Sequence, residues 1–291
     1  MPGSRTSCQC RSSRRRSGGA WSSRRRSGTP GDEEMRRFFV HPEHVRGREL
    51  LLVGEEARHA LDVLRLGSGD RALAFDGVGR EYVFEVTSTG PQVLAGRIIE
   101  VREGKGILPL SLTLVQGIPK GRKMDLIVRM GTEAGVDTFI PVVTRRTVVR
   151  LGEKVPFKVQ RWQRIAKEAA KQSQRATVPS VHGVCTLEEA LGLVEGSDLI
   201  LMPWEGERER MLGEVLARNR QARRVAILIG PEGGFDPEEV QEAVRRGATV
   251  VSLGPLVYRT ETAGVVAAAM IVYELVLRQV PDSPAGSMIP K

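Results

Sequence analysis

Two glycine-rich stretches hold the residues most able to do chemistry. LIGPEGGFDPEEV, at 228–240, joins an apolar run to an acidic, helix-like run. LGPLVYRTETAG, at 253–264, again places Gly-Pro after an apolar run and before a helix rich in small residues. A loop at the carboxyl end of a sheet strand is where open α/β sheets bind ligands. The second loop carries Arg259 and Glu261. An arginine can stabilise developing negative charge, and a carboxylate can accept a proton or orient the arginine. The same two side chains can also do no more than pair and pin the loop. Glu232 in the first loop is equally open to a structural role, because a carboxylate there can simply accept backbone N–H bonds.

What the loops lack narrows the ligand. A Walker loop needs a lysine and a hydroxyl after its last glycine, and Phe235 and Asp236 supply neither. The G-x-G-x-x-G dinucleotide fingerprint is absent, and Glu232 would repel an anion. Either loop alone could be a tight turn without a ligand. Two successive loops of this kind form a backbone-lined slot, which suits a flat neutral group such as an adenine.

The surrounding elements must position that slot. From 110 onward, apolar strands at 110–117, 138–143, 199–202, 225–229 and 250–253 alternate with helical segments at about 123–134, 158–173, 187–194, 208–218, 236–246 and 262–279. Such alternation predicts a parallel α/β sheet covered by helices. Asp236 falls at an N-cap, Pro237 at the first helical position and Glu239 three residues after the cap, a capping box. Gly247 is placed to stop that helix. The 35–101 stretch instead reads as a small β-rich module. Its strands are predicted at 37–40, 71–75, 81–87 and 93–101, with a hairpin turn at Asp76–Gly79 and one helix over 55–66. Residues 102–109, with two glycines and a proline, read as a linker.

Composition bounds the remaining classes. The 291-residue chain has room for two domains. Residues 1–34 contain eight arginines and three acids and no Leu, Ile, Val or Phe. Such a stretch is expected to be disordered. It reads as a basic RNA-gripping arm, a transit peptide without an amphipathic face, or an extension ahead of a translation start at Met35, the last being the expectation here. The remainder carries 36 basic and 32 acidic residues, a mild excess that permits a nucleic-acid partner. Three cysteines, Cys8, Cys10 and Cys185, make neither a zinc spacing nor a disulfide scaffold, which suits a reducing compartment. The longest apolar run, 265–277, is too short to span a bilayer.

The two loops together resemble the SPOUT-class ribosomal RNA methyltransferases that modify N3 of a uridine in 16S rRNA. The resemblance extends upstream to GIPKGRKMDLIVRMGTEAGVDTFIPVVTRRTVV and RWQRIAKEAAKQSQRATVP, and to MRRFFV and RHALDVLRLGSGDRALAFDGVG in the first module. It covers about 35–277, and residues 1–34 have no counterpart. It implies an α/β SPOUT domain with a deep trefoil knot over 108–281, a PUA-like RNA-binding β-barrel over 35–104, and a flexible tail at 282–291. It also implies a cytoplasmic homodimer acting on 16S rRNA in the small ribosomal subunit, with S-adenosylmethionine as cofactor and neither metal nor membrane.

Residue by residue, the resemblance places the cofactor against Met202, Pro203 and Glu205, then Gly230, Pro231, Glu232, Gly233 and Gly234, then Leu253, Gly254, Leu256, Thr260, Thr262 and Ala263. Arg259 and Glu261 become the catalytic candidates: one for charge on a uracil oxygen, the other for the N3 proton. RNA contacts are expected from Arg37, His59 and Arg65 in the barrel, and from Lys120, Arg146, Arg164, Gln172, Ser173 and Arg175. Arg164, Glu168, Gln172 and Arg175 are spaced to share one helical face, which can equally be a solvated stripe. Lys120, Arg122 and Lys123 form a small basic patch suited to phosphates. Another target, such as a ribose 2′-hydroxyl, and a non-catalytic assembly factor stay open as alternatives.

Overall fold

The computed structural model describes residues 35–148 and 155–279. The basic extension, the tail and residues 280–281 lie outside the described residues.

The first module is a six-stranded sheet built from β1 (Arg37–Phe39), β2 (Val45–Arg46), β3 (Glu49–Val53), β4 (Arg71–Phe75), β5 (Arg80–Gly90) and β6 (Val93–Glu103). Its strand order is β1-β4-β5-β6-β3-β2, antiparallel except for β1 beside β4. Register shifts at Val83/Phe84 and Val86/Ser88 bend the long β5–β6 pair. Phe38, Leu50, Leu52, Phe84 and Leu94 fill the core that the sheet encloses. The helix expected over 55–66 divides into α1 (Gly54–Arg58) and a π-helical turn at His59–Val63. Arg65, at φ 54°, ends it. Ala57, Ala60 and Leu66 reach the core from this segment.

The second layered unit carries β7 (Ser111–Gly117), α2 (Lys123–Glu133), β8 (Thr138–Val143), α3 (Val155–Gln172), β9 (Ser180–Val181), β10 (Cys185–Thr186), α4 (Leu187–Val194), β11 (Leu199–Pro203), α5 (Leu212–Arg218), β12 (Arg224–Ile229), α6 (Pro237–Arg245), β13 (Ala248–Val251) and α7 (Thr260–Leu275). The sheet is wholly parallel, ordered β10-β8-β7-β12-β11-β13, with β9 pairing β8. Successive strand residues serve opposite faces. Leu114 and Ile227 pack with α2, α3, α5 and α7, whereas Val115 and Leu228 pack with α4 and α6.

After β13 the chain leaves the sheet edge and runs beside the segment entering α5. Ser252 N donates to Arg210 O at 2.8 Å, and Leu212 N donates to Ser252 O at 3.0 Å. It then returns to the middle of the sheet, where α7 packs on α2, α5 and β12. That return is the course a knotted chain end takes. Some predicted boundaries move. β13 ends at Val251, because Gly247 at φ 89° turns the chain straight into the strand. Residues 208–211 precede α5, with Glu207 accepting from the N–H groups of Glu209 and Arg210. α7 starts two residues early, capped at Arg259, so that Thr260 is buried.

Arg175 and Arg37 need correction. α3 stops at Gln172, and Gln174 at φ 58° swings the next residue inward. Arg175 therefore leaves the helical face shared by Arg164 and Gln172. Its side chain is buried, donating to Thr132 O and Val136 O at 2.8 Å each and to Asp137 at 2.6 Å. Burial pushes the Asp137 carboxyl up, opposed by the Leu112 N–H and by Arg175. Arg37 pairs with the fully buried Glu81, donates to Arg175 O at 3.0 Å and lies over the Phe75 ring. The Arg37 side chain thus joins the barrel to the α/β unit through the Arg175 carbonyl, and neither guanidinium is turned to solvent. Lys171, 2.8 Å from Glu56, adds a second tie. Replacing Arg175 with Leu strands the Asp137 charge and two buried carbonyls, so urea unfolding should show a loss of about 3–5 kcal/mol.

Candidate active site

The cleft is built at the carboxyl ends of β11, β12 and β13. The loops 203–211, 230–236 and 252–259 and the start of α7 enclose about 1440 Å³. Their convergence rests on the buried amide of Gln116 at the end of β7. Its Nε2 donates to Gly117 O at 3.0 Å, Thr260 Oγ1 at 3.0 Å and Gly230 O at 3.4 Å. Thr260 Oγ1 itself donates to Gly230 O at 2.6 Å. One strand end, the first glycine loop and the first turn of α7 are thereby fixed together.

Glycine is required here by close approach. A Cβ on Gly230 would lie 2.8 Å from the carbonyl carbon of Gly234, and one on Gly117 would lie 2.5 Å from Pro231 Cδ. Gly234 and Gly254 sit at φ 69° and 108°, the left-handed region that side chains disfavour. The loop leaves through the expected capping box: Asp236 caps α6, and Glu239 reaches back to the Asp236 N–H at 2.8 Å. The 144–147 turn braces the loop from outside. Arg145 N donates to Glu239 at 2.9 Å, and Arg146 donates to Gly233 O at 2.9 Å.

Of the expected cofactor residues, Pro203, Glu205, Gly230, Pro231, Glu232, Gly233, Gly234, Leu253, Gly254, Leu256, Thr260 and Ala263 line the cleft. Met202 does not: it is fully buried among Val115, Ile140 and Leu228, because alternation along β11 turns it into the sheet core. Thr262 is half-buried and is not in the lining, lying one residue past Glu261 on α7. Arg259 and Glu261 both line the cleft. The exposed Arg259 side chain makes no hydrogen bond or ion pair among the described residues. The two do not pin each other, since Glu261 pairs with Lys123 at 3.3 Å. Trp204, Met211, Phe235, Ser252 and Tyr258 also line the cleft and were not anticipated individually. Trp204, between the expected Pro203 and Glu205, was the readable signal, as the one aromatic there.

The RNA candidates are scattered. Arg146 reaches the cleft. Arg65, Lys120, Arg164 and Gln172 are exposed, and the half-buried His59 meets Phe38 edge-on at 6.0 Å. Ser173 spends its hydroxyl on Ala169 O at 2.8 Å. Among the described residues no cluster of His, Cys, Asp and Glu is placed to hold a metal, and no helix is long and apolar enough to cross a membrane.

Glu232 accepts the Lys120 N–H at 3.1 Å and the Lys123 ammonium at 3.0 Å. Burial alone would raise its pKa, but its own backbone N–H, Lys123 and the Lys120 N–H outweigh this and hold it low. Lys123 is raised, by Glu232 foremost and by Glu261 as well, against its own desolvation.

A knotted-type parallel sheet with its cleft among the closing loops, following a small six-stranded β-module, defines a SPOUT RNA methyltransferase with a PUA-like module. Family profiles described as an RNA methyltransferase domain and an RNA methyltransferase PUA domain match residues 107–272 and 52–98. The ribosomal RNA small subunit methyltransferase E of Bacillus subtilis is 32% identical over 250 residues, covering 82% of this chain and 97% of that protein. That of Mycobacterium tuberculosis is 32% identical over 235 residues, covering 79% and 88%. The crystal structure of the Neisseria gonorrhoeae ribosomal RNA small subunit methyltransferase E bound to S-adenosyl methionine has a TM-score of 0.74 at 30% identity, covering 83% and 98%. A putative methyltransferase from Legionella pneumophila with the cofactor bound has a TM-score of 0.74 at 29% identity, covering 82% and 97%. The chain belongs to the ribosomal RNA small subunit methyltransferase E family.

Two outcomes follow from the cleft. Gly230→Ala should push the loop off Gly234 and weaken S-adenosylmethionine binding by about tenfold or more in calorimetry. Glu232, held below its ordinary 4.5, contributes stability that is full above that value and lost as pH falls through its folded pKa. Lys123, raised above its ordinary 10.5, contributes below that value and loses its contribution only as pH rises through its higher folded pKa. Urea titrations at neutral and acid pH should therefore show a steeper acid loss in the wild type than in Glu232→Gln.

Proposed function

We propose that the chain methylates N3 of a specific uridine in 16S rRNA, on the small ribosomal subunit, using S-adenosylmethionine held in the 203–211, 230–236 and 252–259 cleft. The observation that carries this reading is the Gln116–Thr260–Gly230 junction, which brings both glycine loops, Arg259 and Glu261 to one cleft. The lining suits the cofactor. Close-packed glycine backbone offers N–H and C=O groups to an adenine, Leu253 and Leu256 offer apolar surface, and Glu205, Glu207 and Glu232 favour a cation.

When bound, S-adenosylmethionine supplies an electrophilic methyl group on a sulfonium. The chain's own task is to hold the uracil and dispose of its N3 proton. Glu261 lines the cleft, and its carboxylate, held at Oε2 by Lys123, is an acceptor suited to that proton. The Arg259 guanidinium, unpaired among the described residues, answers the charge that then develops on a uracil oxygen. Holding both reactants in one slot supplies much of the remaining acceleration.

The barrel at 35–104 is read as the rRNA grip and 108–281 as the catalytic domain. Arg65, Lys120, Arg164 and Gln172, with His59 beside Phe38, offer the exposed polar contacts. A homodimer is supported by α7, which is apolar from Ala263 to Tyr273 yet exposes Ala269, Met270 and Tyr273. A cytoplasmic enzyme is the setting in which ribosomal subunits are met.

Nucleoside analysis of 16S rRNA treated with the protein and S-adenosylmethionine tests the reaction. N3-methyluridine is expected, and a 2′-O-methylated nucleoside in its place would refute it. Arg259→Met and Glu261→Gln should each lower kcat by about 100-fold while leaving cofactor affinity within a few fold.

A further inference from the structure

Lys123 stands in the GRKMD stretch, where the basic patch pointed to RNA phosphates. The structure engages it differently. As the first residue of α2 it lines the cleft. Its ammonium lies 3.0 Å from Glu232 Oε1 and 3.3 Å from Glu261 Oε2. Those carboxylates belong to different walls: Glu232 to the loop after β12, and Glu261 to the first turn of α7. The Gln116 amide joins the same two walls beneath. Above, at the half-exposed surface, Lys123 is the joining group. An ammonium carries three donors on a compact head and can serve two carboxylates at once. A phosphate ligand would have to displace two anions that already hold it.

We propose that Lys123 is a positioning residue of the methyl-transfer site. It locks the 230–234 loop to the first turn of α7 and holds the Glu261 carboxylate where it can meet the uridine. Lys123 holds the buried Oε2 of Glu261 at 3.3 Å. The other oxygen, Oε1, makes no hydrogen bond among the described residues and is left for substrate. The shared arrangement also has a consequence for turnover. When Glu261 takes the N3 proton it loses its charge, but Lys123 keeps Glu232, so the loop remains anchored while the proton passes on to water. This inference rests on the functional reading above for its catalytic part, and on the ion pairs alone for its structural part.

The test compares Lys123→Met with wild type in the full chain, with Lys123→Arg and Lys123→Gln as companions. Hydrogen exchange is measured without cofactor over 228–236 and 257–263, alongside kcat, KM for rRNA and the urea midpoint. Support requires exchange in both segments to rise about tenfold and kcat to fall about tenfold or more, with the urea midpoint and KM little changed and Lys123→Arg recovering part of both losses. Unchanged exchange with unchanged kcat overturns the proposal. So does a fall in kcat without faster exchange, which would make Lys123 a direct contact of the reacting groups. A rise in KM alone overturns it in favour of an RNA phosphate contact. If Lys123→Met fails to fold, Lys123→Gln carries the same comparison. If wild type neither binds S-adenosylmethionine nor forms N3-methyluridine, the functional reading fails, while the exchange data still decide whether Lys123 ties the loops.

Discussion

The active-site end of the sheet is governed by one buried amide. Gln116 has no exposed surface, so its N–H groups must find partners inside the protein. The acceptors are Gly117 O, Gly230 O and Thr260 Oγ1, from three separate chain segments. Leaving such a group unpaired costs about 1–3 kcal/mol, so the native chain holds these segments in one arrangement. The need for small residues follows. Pro231 occupies the space beside Gly117, and a Cβ on Gly264 would already be 3.2 Å from Leu114 and 3.5 Å from Gln116 Oε1. The glycines that first suggested a ligand thus serve packing below the cleft and backbone approach within it.

A second polar system works at the C-terminal end of α3. Lys171 crosses from the α/β unit to Glu56 of the barrel, and Arg37, paired with Glu81, crosses to the carbonyl of Arg175, whose own side chain is held by Asp137. Backbone pairing reinforces them: Val178 N donates to Gly77 O at 2.9 Å, and Gly79 N to Ala176 O at 3.2 Å. A buried ion pair is weak evidence for stability, because desolvation offsets much of its attraction. Its stronger consequence is geometric, since charges so buried tolerate few alternative partners. A barrel held in one place relative to the cleft can present RNA at a fixed distance from it, whereas a barrel on a flexible linker would not.

Strand alternation, the 228–240 loop and the α6 capping box were legible because each depends on neighbours in sequence. Asp236, Pro237 and Glu239 act within four residues, so their spacing carries the whole argument. Arg175 was misread for the complementary reason. Its spacing from Gln172 implied a shared helical face, and nothing local announced that Gln174 would adopt a left-handed conformation and turn the chain inward. Met202 was lost to a one-residue alternation at a strand end, where the next residue, Pro203, lines the cleft. Lys123 was visible as a cation, but its two partners lie 109 and 138 positions away, and only the tertiary fold brings them near.

The two walls of the cleft therefore differ in kind. The 230–234 wall presents mainly backbone, braced from behind by Arg146 and by the capped start of α6. Backbone donors have fixed directions and no rotamers, which suits recognition of a flat group at little entropic cost. The wall at 259–261 presents side chains at the start of a helix whose later turns are packed against the sheet core through Ala267, Ala268 and Ile271. Side chains there can change charge partners without moving the backbone that carries them. A reaction that must both hold one reactant still and take a proton from another is served by that division. The Gln116 amide keeps it intact, because it binds the rigid wall and the root of the adaptable one with the same nitrogen.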